Sequence, residues 1–423
     1  MRARLRVRSW VAVGAQVALL GCGPRTAPPS AQLVIHLDTD ATLPAPPGQP
    51  DQAYLFDRVR IDVLEDGIPT GVGRDFAVDE ASFRERRASF GLVAPAGRVF
   101  AVRVRLYRLD RVYEGEPAPT STLESRAALP ALVEGKVQHL GLLLHLADVG
   151  TIVGYPDPVE AAPWVDTPSL VGSAVERRDC GEARYEGEAC VPGGAFLLGL
   201  PTPLAVADPR ATRLPTERVV LMSPFFVDTH EVTGAMLAAK LPELGAVRPP
   251  LDDATIGCNV SPSLPVNCVH PETARAYCRS LGKTLPTEAQ YEYLASGRGR
   301  EWLYPWGYDT PRCADVVAAD TFGVTLVPCG PGIRPAGSGR LDRVALDRPV
   351  LDLAGNVAEF AADDLGVLPG GRLLRDPIGT GSFTVARGGS FLTPLADVRA
   401  TLRASDFGEG AAQVGFRCVR KVP

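Results

Sequence analysis

Cysteine placement constrains this chain more than any other feature. Nine cysteines occur in 423 residues; Cys22 stands alone near the N-terminus and the other eight lie between Cys180 and Cys418. An even set of cysteines in an exported chain reads as a disulfide framework, because thiols oxidise outside the cytosol. Their order points to local pairs: Cys180 with Cys190, Cys258 with Cys268, and Cys313 with Cys329. Cys278 and Cys418 are then left, far apart in sequence. Order alone does not determine connectivity, since eight cysteines admit many pairings. A metal–thiolate cluster is the weaker reading, because no CxxC pair or Cys/His cluster occurs. The 43 glycines and 39 prolines, against 3 methionines, favour a loop-rich architecture over a helical bundle.

Export is read from the first thirty residues. Arg2, Arg4, Arg6 and Arg8 form a basic stretch, and Trp10 to Leu20 an apolar one too short to span a bilayer as a mature helix. The run Leu19-Leu20-Gly21-Cys22 looks like a bacterial lipobox, which makes 1–21 a lipoprotein signal peptide and Cys22 the lipidated residue. A plain secretory peptide is the alternative. Two or three acyl chains hold a protein stably at a membrane where one does not. Gly23 rather than Asp follows the cysteine, so nothing argues for retention at the inner membrane. Residues 22–30, with Pro24, Pro28 and Pro29, read as a tether. The expected location is the bacterial cell envelope, at the outer membrane or cell surface, with the lipid anchor making the membrane contact. A net charge of −5 supplies no basic footprint for nucleic acid.

Residues 31–150 read as an all-β domain, a small β-sandwich by pattern. Leu33–Leu37, Val59–Leu64, Ser89–Val93, Phe100–Leu109 and Val137–Leu146 are strand-like, with alternation clearest at Val102-Arg103-Val104-Arg105-Leu106. Those arginines are expected to form a solvent face, and Asp38-Thr39-Asp40 a solvated strand end rather than a metal loop. Residues 151–179 are polar and Pro-containing, as a linker would be.

The second domain, 180–423, carries landmarks at wide spacing: Gly193-Gly194-Ala195-Phe196-Leu197-Leu198-Gly199, Phe225-Phe226-Val227-Asp228-Thr229-His230-Glu231-Val232-Thr233, Leu303-Tyr304-Pro305-Trp306-Gly307, Asp352-Leu353-Ala354-Gly355-Asn356-Val357-Ala358-Glu359, Arg387-Gly388-Gly389-Ser390-Phe391 and Gly415-Phe416-Arg417-Cys418. Between them Pro271 and Gly282 bracket a helix with Ala274, Tyr277, Cys278 and Leu281 on one face. Thr287 and Gln290 are spaced as a capping box, with Gly297 as the stop of a second helix. The acidic residues Glu288 and Glu292 are read as structural, and His230 as a partly exposed strand residue rather than a ligand.

Together these motifs resemble the formylglycine-generating-enzyme (sulfatase-modifying-factor) family. The resemblance implies an α+β fold overall: an N-terminal β-sandwich followed by a C-type-lectin-like domain rich in ordered loops. It implies a Cys278–Cys418 bond, a closed loop contributing roughly 4–5 kcal/mol in the chain-entropy model. It also implies a calcium site with ligands Asp352, Gly355, Val357 and Glu359, the mixture of carboxylates and carbonyls that a hard cation takes. A second family calcium site loses its Asn, which falls near Val317.

One departure governs the functional reading. Relatives oxidise a sulfatase cysteine to formylglycine with O₂ and copper(I), a soft ion held by two cysteines five residues apart. Those positions are Thr393 and Val398 here, so copper and the known route are not expected. No GxSxG elbow, P-loop, HExxH or dinucleotide fingerprint stands in for them. The expectation is a lipid-anchored, non-catalytic envelope protein that binds a peptide, protein or glycan through the degenerate cleft. The alternative is a formylglycine-generating-type oxidoreductase working by an altered mechanism; a third reading is a structural envelope component contacting partners through its β domain.

Overall fold

A computed structural model of the chain describes residues 10–12, 31–46, 53–71, 73–94, 100–150, 159–175, 178–199, 217–253, 257–259, 261–322, 325–367, 373–404 and 411–423. Cys22 and most of the leader lie outside these residues; Trp10–Ala12 pairs parallel with Gly91–Val93. Among the described residues no helix is long and apolar enough to cross a membrane. The chain divides into two compact units, Met1–Val175 and Glu176–Pro423.

The first unit is built from strands β1 (Ala31–Thr39), β2 (Arg58–Glu65), β3 (Ser89–Ala94), β4 (Ala101–Tyr107), β5 (Leu123–Ala128) and β6 (Val137–Leu144). In β1 burial alternates residue by residue, because Ala31, Leu33, Ile35 and Leu37 share one face of the pleat. It pairs antiparallel with β3 and parallel with β6. A second sheet has β4 between β2 and β5, all antiparallel. Asp66 and Gly67, both at positive φ, turn the chain tightly after β2, which is the geometry short hairpins require. Strand β5, with the sequence LESRAA, lacks the β-branched signal; its pairing with 101–106, not its propensity, makes it a strand. In the segment read as a linker, Val159–Glu160 pairs with β5 and Ala162–Pro163 with β6, where an edge position tolerates proline.

Two expectations for this unit are corrected. Arg103 and Arg105 do not face open solvent. The register places Arg103 directly across from Asp62, and both arginines reach that carboxylate, Nε of Arg103 at 2.8 Å and Nη2 of Arg105 at 3.0 Å. Nη1 of Arg105 bonds Glu116 at 2.6 Å. Opposite charges facing one another across strands convert a polar face into a buried ion-pair ladder. Nor is the end of β1 simply solvated: Asp38 accepts bonds from Ser169 Oγ at 2.7 Å and Arg86 Nη1 at 2.9 Å, and Asp40 accepts one from Leu146 N at 2.6 Å.

The second unit is α+β, rich in short strands with few helices. Strands β7 (Glu188–Val191), β8 (Gly194–Leu198), β9 (Arg218–Met222) and β10 (Phe225–Asp228) come first, and β11 (Ala358–Val367), β12 (Leu373–Arg375), β13 (Thr380–Arg387) and β14 (Val419–Lys421) close it. They form three small sheets: β7–β10–β14, β8–β9–β12, and one in which β11 pairs β13. Helix α1 (Pro271–Ser280) starts on proline and buries Ala274, Tyr277 and Cys278; Gly282 beyond it takes positive φ. Helix α2 (Glu288–Ala295) opens on a reciprocal capping box between Thr287 and Gln290.

Four disulfides tie the loops: Cys180–Cys190, Cys258–Cys268, Cys278–Cys418 and Cys313–Cys329. Cys278–Cys418 spans 140 residues and clamps α1 to the chain just before β14, where Thr284 and Val419 also exchange main-chain hydrogen bonds. Tyr277 packs edge-on against Phe416 beside that bond.

Candidate functional site

Thr393 and Val398 lie where two loops are stitched together through main-chain bonds. Strand β13 ends at Arg387, whose side chain is fully buried against two carboxylates of α2. Its guanidinium meets Glu288 at 3.3 Å and also Glu292, while Glu292 Oε1 accepts the N–H of Gly199 at 2.7 Å. These glutamates hold the frame, as the sequence reading has it.

Gly388 follows at φ +88; a side chain there would run into the hydroxyl of Tyr291 and the carbonyl of Leu353. That close approach brings the 387–393 loop onto the 352–359 loop. Gly355 N donates to Gly388 O at 3.0 Å, and Phe391 N donates to Asn356 O at 2.9 Å.

Thr393 and Val398 are both spoken for. The Thr393 hydroxyl oxygen accepts the N–H of Ser390 at 2.9 Å, and Thr393 N donates to Ser390 O at 2.9 Å. The side chain thereby staples the Gly388-Gly389-Ser390 turn shut. Val398 is fully buried in an apolar cluster with Tyr304, Val316, Ala318 and Ala354. All eight cysteines among the described residues are in disulfides. The residues present therefore do not fit copper(I), which wants thiolate ligands.

The 352–359 loop leads into the most heavily charged interior of the unit. Arg417 forks onto Glu359, Nε to Oε2 at 2.7 Å and Nη2 to Oε1 at 2.6 Å. The same guanidinium donates to the carbonyls of Asp228, Leu351 and Asp352. Around it stand Glu231, Asp342 and Asp352, all buried. Asp342 accepts the N–H groups of Leu353 and Ala354, and Asp352, at positive φ, that of Gly337. Glu231 Oε1 accepts from Asn356 Nδ2 at 2.9 Å, but its Oε2 is buried with no hydrogen-bond partner. Burial pushes the carboxyls of Glu231, Asp342, Asp352 and Glu359 above their ordinary range; the charge of Asp352 adds to this at the other three, and Arg417 opposes it at all four.

Of these four buried carboxyls, Glu359 gives both oxygens to Arg417, Asp342 and Asp352 accept main-chain N–H groups, and Glu231 Oε2 is the oxygen left for a further cation. Asp352, Gly355, Val357 and Glu359 would hold calcium here, with Glu231 at hand, and the ion would supply structural charge balance. No cluster of three or more His, Cys, Asp or Glu side chains able to hold a metal occurs among the described residues, so main-chain carbonyls would have to share the load. At the second family position Val317 is buried, and its carbonyl already accepts Asn356 N at 2.7 Å. His230 is partly exposed just after β10, with Nδ1 2.9 Å from the carbonyl of Glu231. Sequence reasoning passed over Glu231, Asp342 and Arg417; the one local signal was a charged residue beside Cys418 inside an apolar run.

Residues 174–422 match the model of the sulfatase-modifying factor enzyme 1-like domain. The chain belongs to that family, which contains the formylglycine-generating enzymes. A formylglycine-generating enzyme of Thermomonospora curvata is 29% identical, the match covering 55% of this chain and 93% of the relative. One from Streptomyces coelicolor is 32% identical over 37% of this chain and 52% of its own length. Among solved structures, PvdO from Pseudomonas aeruginosa is matched over 56% of this chain and 100% of its own, at 20% identity and a TM-score of 0.42.

Proposed function

We propose that the chain is a lipid-anchored envelope protein, tethered through Cys22, whose C-terminal domain binds a peptide, protein or glycan without carrying out the family's oxidation. The N-terminal unit is read as a β-sandwich. One observation supports the non-catalytic reading above the rest. The two positions that would supply copper thiolates are an alcohol that staples a turn and an aliphatic side chain in the core. Neither has a soft ligand to offer, and relocating Val398 to reach a substrate would empty an apolar cluster. Calcium, at Asp352, Gly355, Val357 and Glu359, is read as a structural ion of the loop layer.

Similarity to formylglycine-generating enzymes favours a second reading, an oxidoreductase acting on a sulfatase cysteine by an altered mechanism. Mass spectrometry of a Cys-x-Pro-x-Arg peptide, incubated with the purified protein, copper(I) and O₂, separates the two. An active family enzyme serves as positive control. The binding reading expects the cysteine mass to persist; conversion to the aldehyde would overturn it in favour of the oxidoreductase.

A further inference from the structure

In the first unit the segment from Val159 to Val175 runs as a strap along the sheet that holds β1 and β6. Val159–Glu160 pairs with β5, and Ala162–Pro163 covers the edge of β6 that faces away from β1. Farther on, Ser169 Oγ donates to Asp38 at 2.7 Å, and the N–H groups of Gly172 and Ala174 donate to the carbonyls of Ala41 and Asp40 at 2.9 and 3.0 Å. Between these anchors Trp164 donates its main-chain N–H to the carbonyl of His139 at 3.1 Å. Its indole lies over Gly141, where an added Cβ would fall 3.6 Å from the ring, and stacks on His36 with ring centroids 4.1 Å apart.

The histidine pair beside the indole accommodates only one state of protonation. His36 Nε2 stands 3.0 Å from His139 Nδ1, so a single proton lies between the two rings. Nδ1 of His36 is buried and has no hydrogen-bond partner. In the neutral pair His36 donates from Nε2, and its Nδ1 stays bare. A further proton has two places to go. Taken by His36, it sits on Nδ1. Taken by His139, it makes that ring the donor; Nε2 of His36 must then accept, and the His36 proton moves to Nδ1. Both routes put an N–H on the buried nitrogen, where it meets neither water nor an acceptor. Burial, His139 and Arg86 accordingly hold His36 below the ordinary histidine range, with Asp166 opposing. Arg86 approaches from beyond the helical turn Glu80–Arg84, Asp38 lies two residues along β1, and Asp166 is on the strap. His145, paired with Asp40, and Asp148 line the same groove. The buried proton is relieved if the His36 ring swings out, and the indole stacked on it stands in the way.

We infer that the His36–His139 pair is an acid-operated latch for this strap: it holds Trp164 down at neutral pH and, once acid forces a further proton onto it, lets the strap lift from the edge of β6. A base held below its unfolded value binds protons less tightly when folded. Docking is therefore fully present above the unfolded value near 6.5 and weakens as pH falls through it toward the folded value. One such histidine allows at most about thirtyfold more opening at pH 5.

Hydrogen–deuterium exchange of the full chain at pH 7.5 and 5.0, read by mass spectrometry and corrected for intrinsic rates, tests the latch. Peptides covering 159–167 should exchange roughly tenfold faster at the lower pH, while those covering 101–107 in β4 should not change. His36→Phe keeps a ring for the indole and takes no proton, so its strap should stay equally protected at both pH values. Since that substitution could disturb the sheet, an NMR titration of the imidazole nitrogens in the native chain is added. It should show a bare Nδ1 on His36 at pH 7.5, gaining its proton over the range in which strap protection is lost. Strap protection unaltered by acid, or equal acceleration in 101–107, would overturn the latch. An acid response that persists in His36→Phe would assign it to Asp38 or Asp166 instead, and a proton already on Nδ1 at pH 7.5 would remove its basis.

Discussion

Arg417 and Glu359 form a two-pronged ion pair in which each side chain is about 1% exposed. The pair joins the chain beside the Cys278–Cys418 bond to the start of β11; Nη1 also donates to the carbonyl of Asp228, and Nη2 to those of Leu351 and Asp352. A buried pair of this kind adds modestly to stability when intact but is expensive to break, because the surviving charge is left without a partner.

Arg417→Met should therefore lower the free energy of unfolding by about 3–5 kcal/mol. Arg417→Lys should recover part of that, since an ammonium keeps the charge but loses the fork. Urea denaturation midpoints read both changes. A loss below about 1 kcal/mol in Arg417→Met would show that the pair is not holding the loops.

Cys278→Ser opens a loop of 140 residues, worth about 5 kcal/mol in the chain-entropy model. It also leaves a hydroxyl and a thiol in a site where both cysteines are fully buried. Calorimetry should show a fall in the thermal midpoint of ten degrees or more, on the order of 2–4 °C per kcal/mol for a unit of this size. An unchanged midpoint would mean that the bond does not constrain the unfolded chain.

Asp363 offers a pH test away from the 352–359 loop. It is buried, accepts the N–H groups of Gly379 at 2.6 Å and Glu288 at 2.7 Å, and burial raises its carboxyl to about 6. A carboxyl raised in the folded state binds its proton more tightly there than in the unfolded chain. Its contribution is thus fully present below the unfolded value near 4, is lost as pH rises through about 6, and is level above that. The difference in stability between the native chain and Asp363→Asn should fall by on the order of 3 kcal/mol from pH 4 to 7. A difference that stays flat across that window rules this out.

Calcium should stabilise the second unit if the loop at Asp352 to Glu359 takes the ion. At a hundredfold excess over its dissociation constant the gain is about 2.7 kcal/mol, several degrees in thermal midpoint. Scanning the protein in calcium chloride and in EGTA reads it. Glu231→Gln removes the carboxyl whose Oε2 lacks a partner while keeping an acceptor, so the calcium response should shrink in that variant. Equal midpoints with and without calcium in the native chain would remove the ion from the account.

Much of the framework was legible without coordinates. Alternation located β1, β2, β3, β4 and β6, and Pro271, Gly282, Thr287 and Gln290 marked the ends of α1 and α2. Cysteine order pointed to the local disulfides without determining them, while Cys278–Cys418 needed the family resemblance. Strand β5 was missed because its residues carry no strand propensity. The Arg103–Arg105 face was misread because period-two alternation tells which residues share a face, not what stands opposite them.

By itself the sequence determined what depends on near neighbours: where strands and helices start and stop, which backbone positions need glycine, and that Thr393 and Val398 carry no sulfur. Only the tertiary structure decided what those residues do instead. Thr393 closes a turn and Val398 fills a core because Tyr304, Val316 and Ala354, distant along the chain, surround that place. Glu231, Asp352, Glu359 and Arg417 likewise acquire their shared electrostatics from burial together in one low-dielectric interior. Desolvation and Coulomb interaction depend on distance through space, which no local pattern of residues encodes.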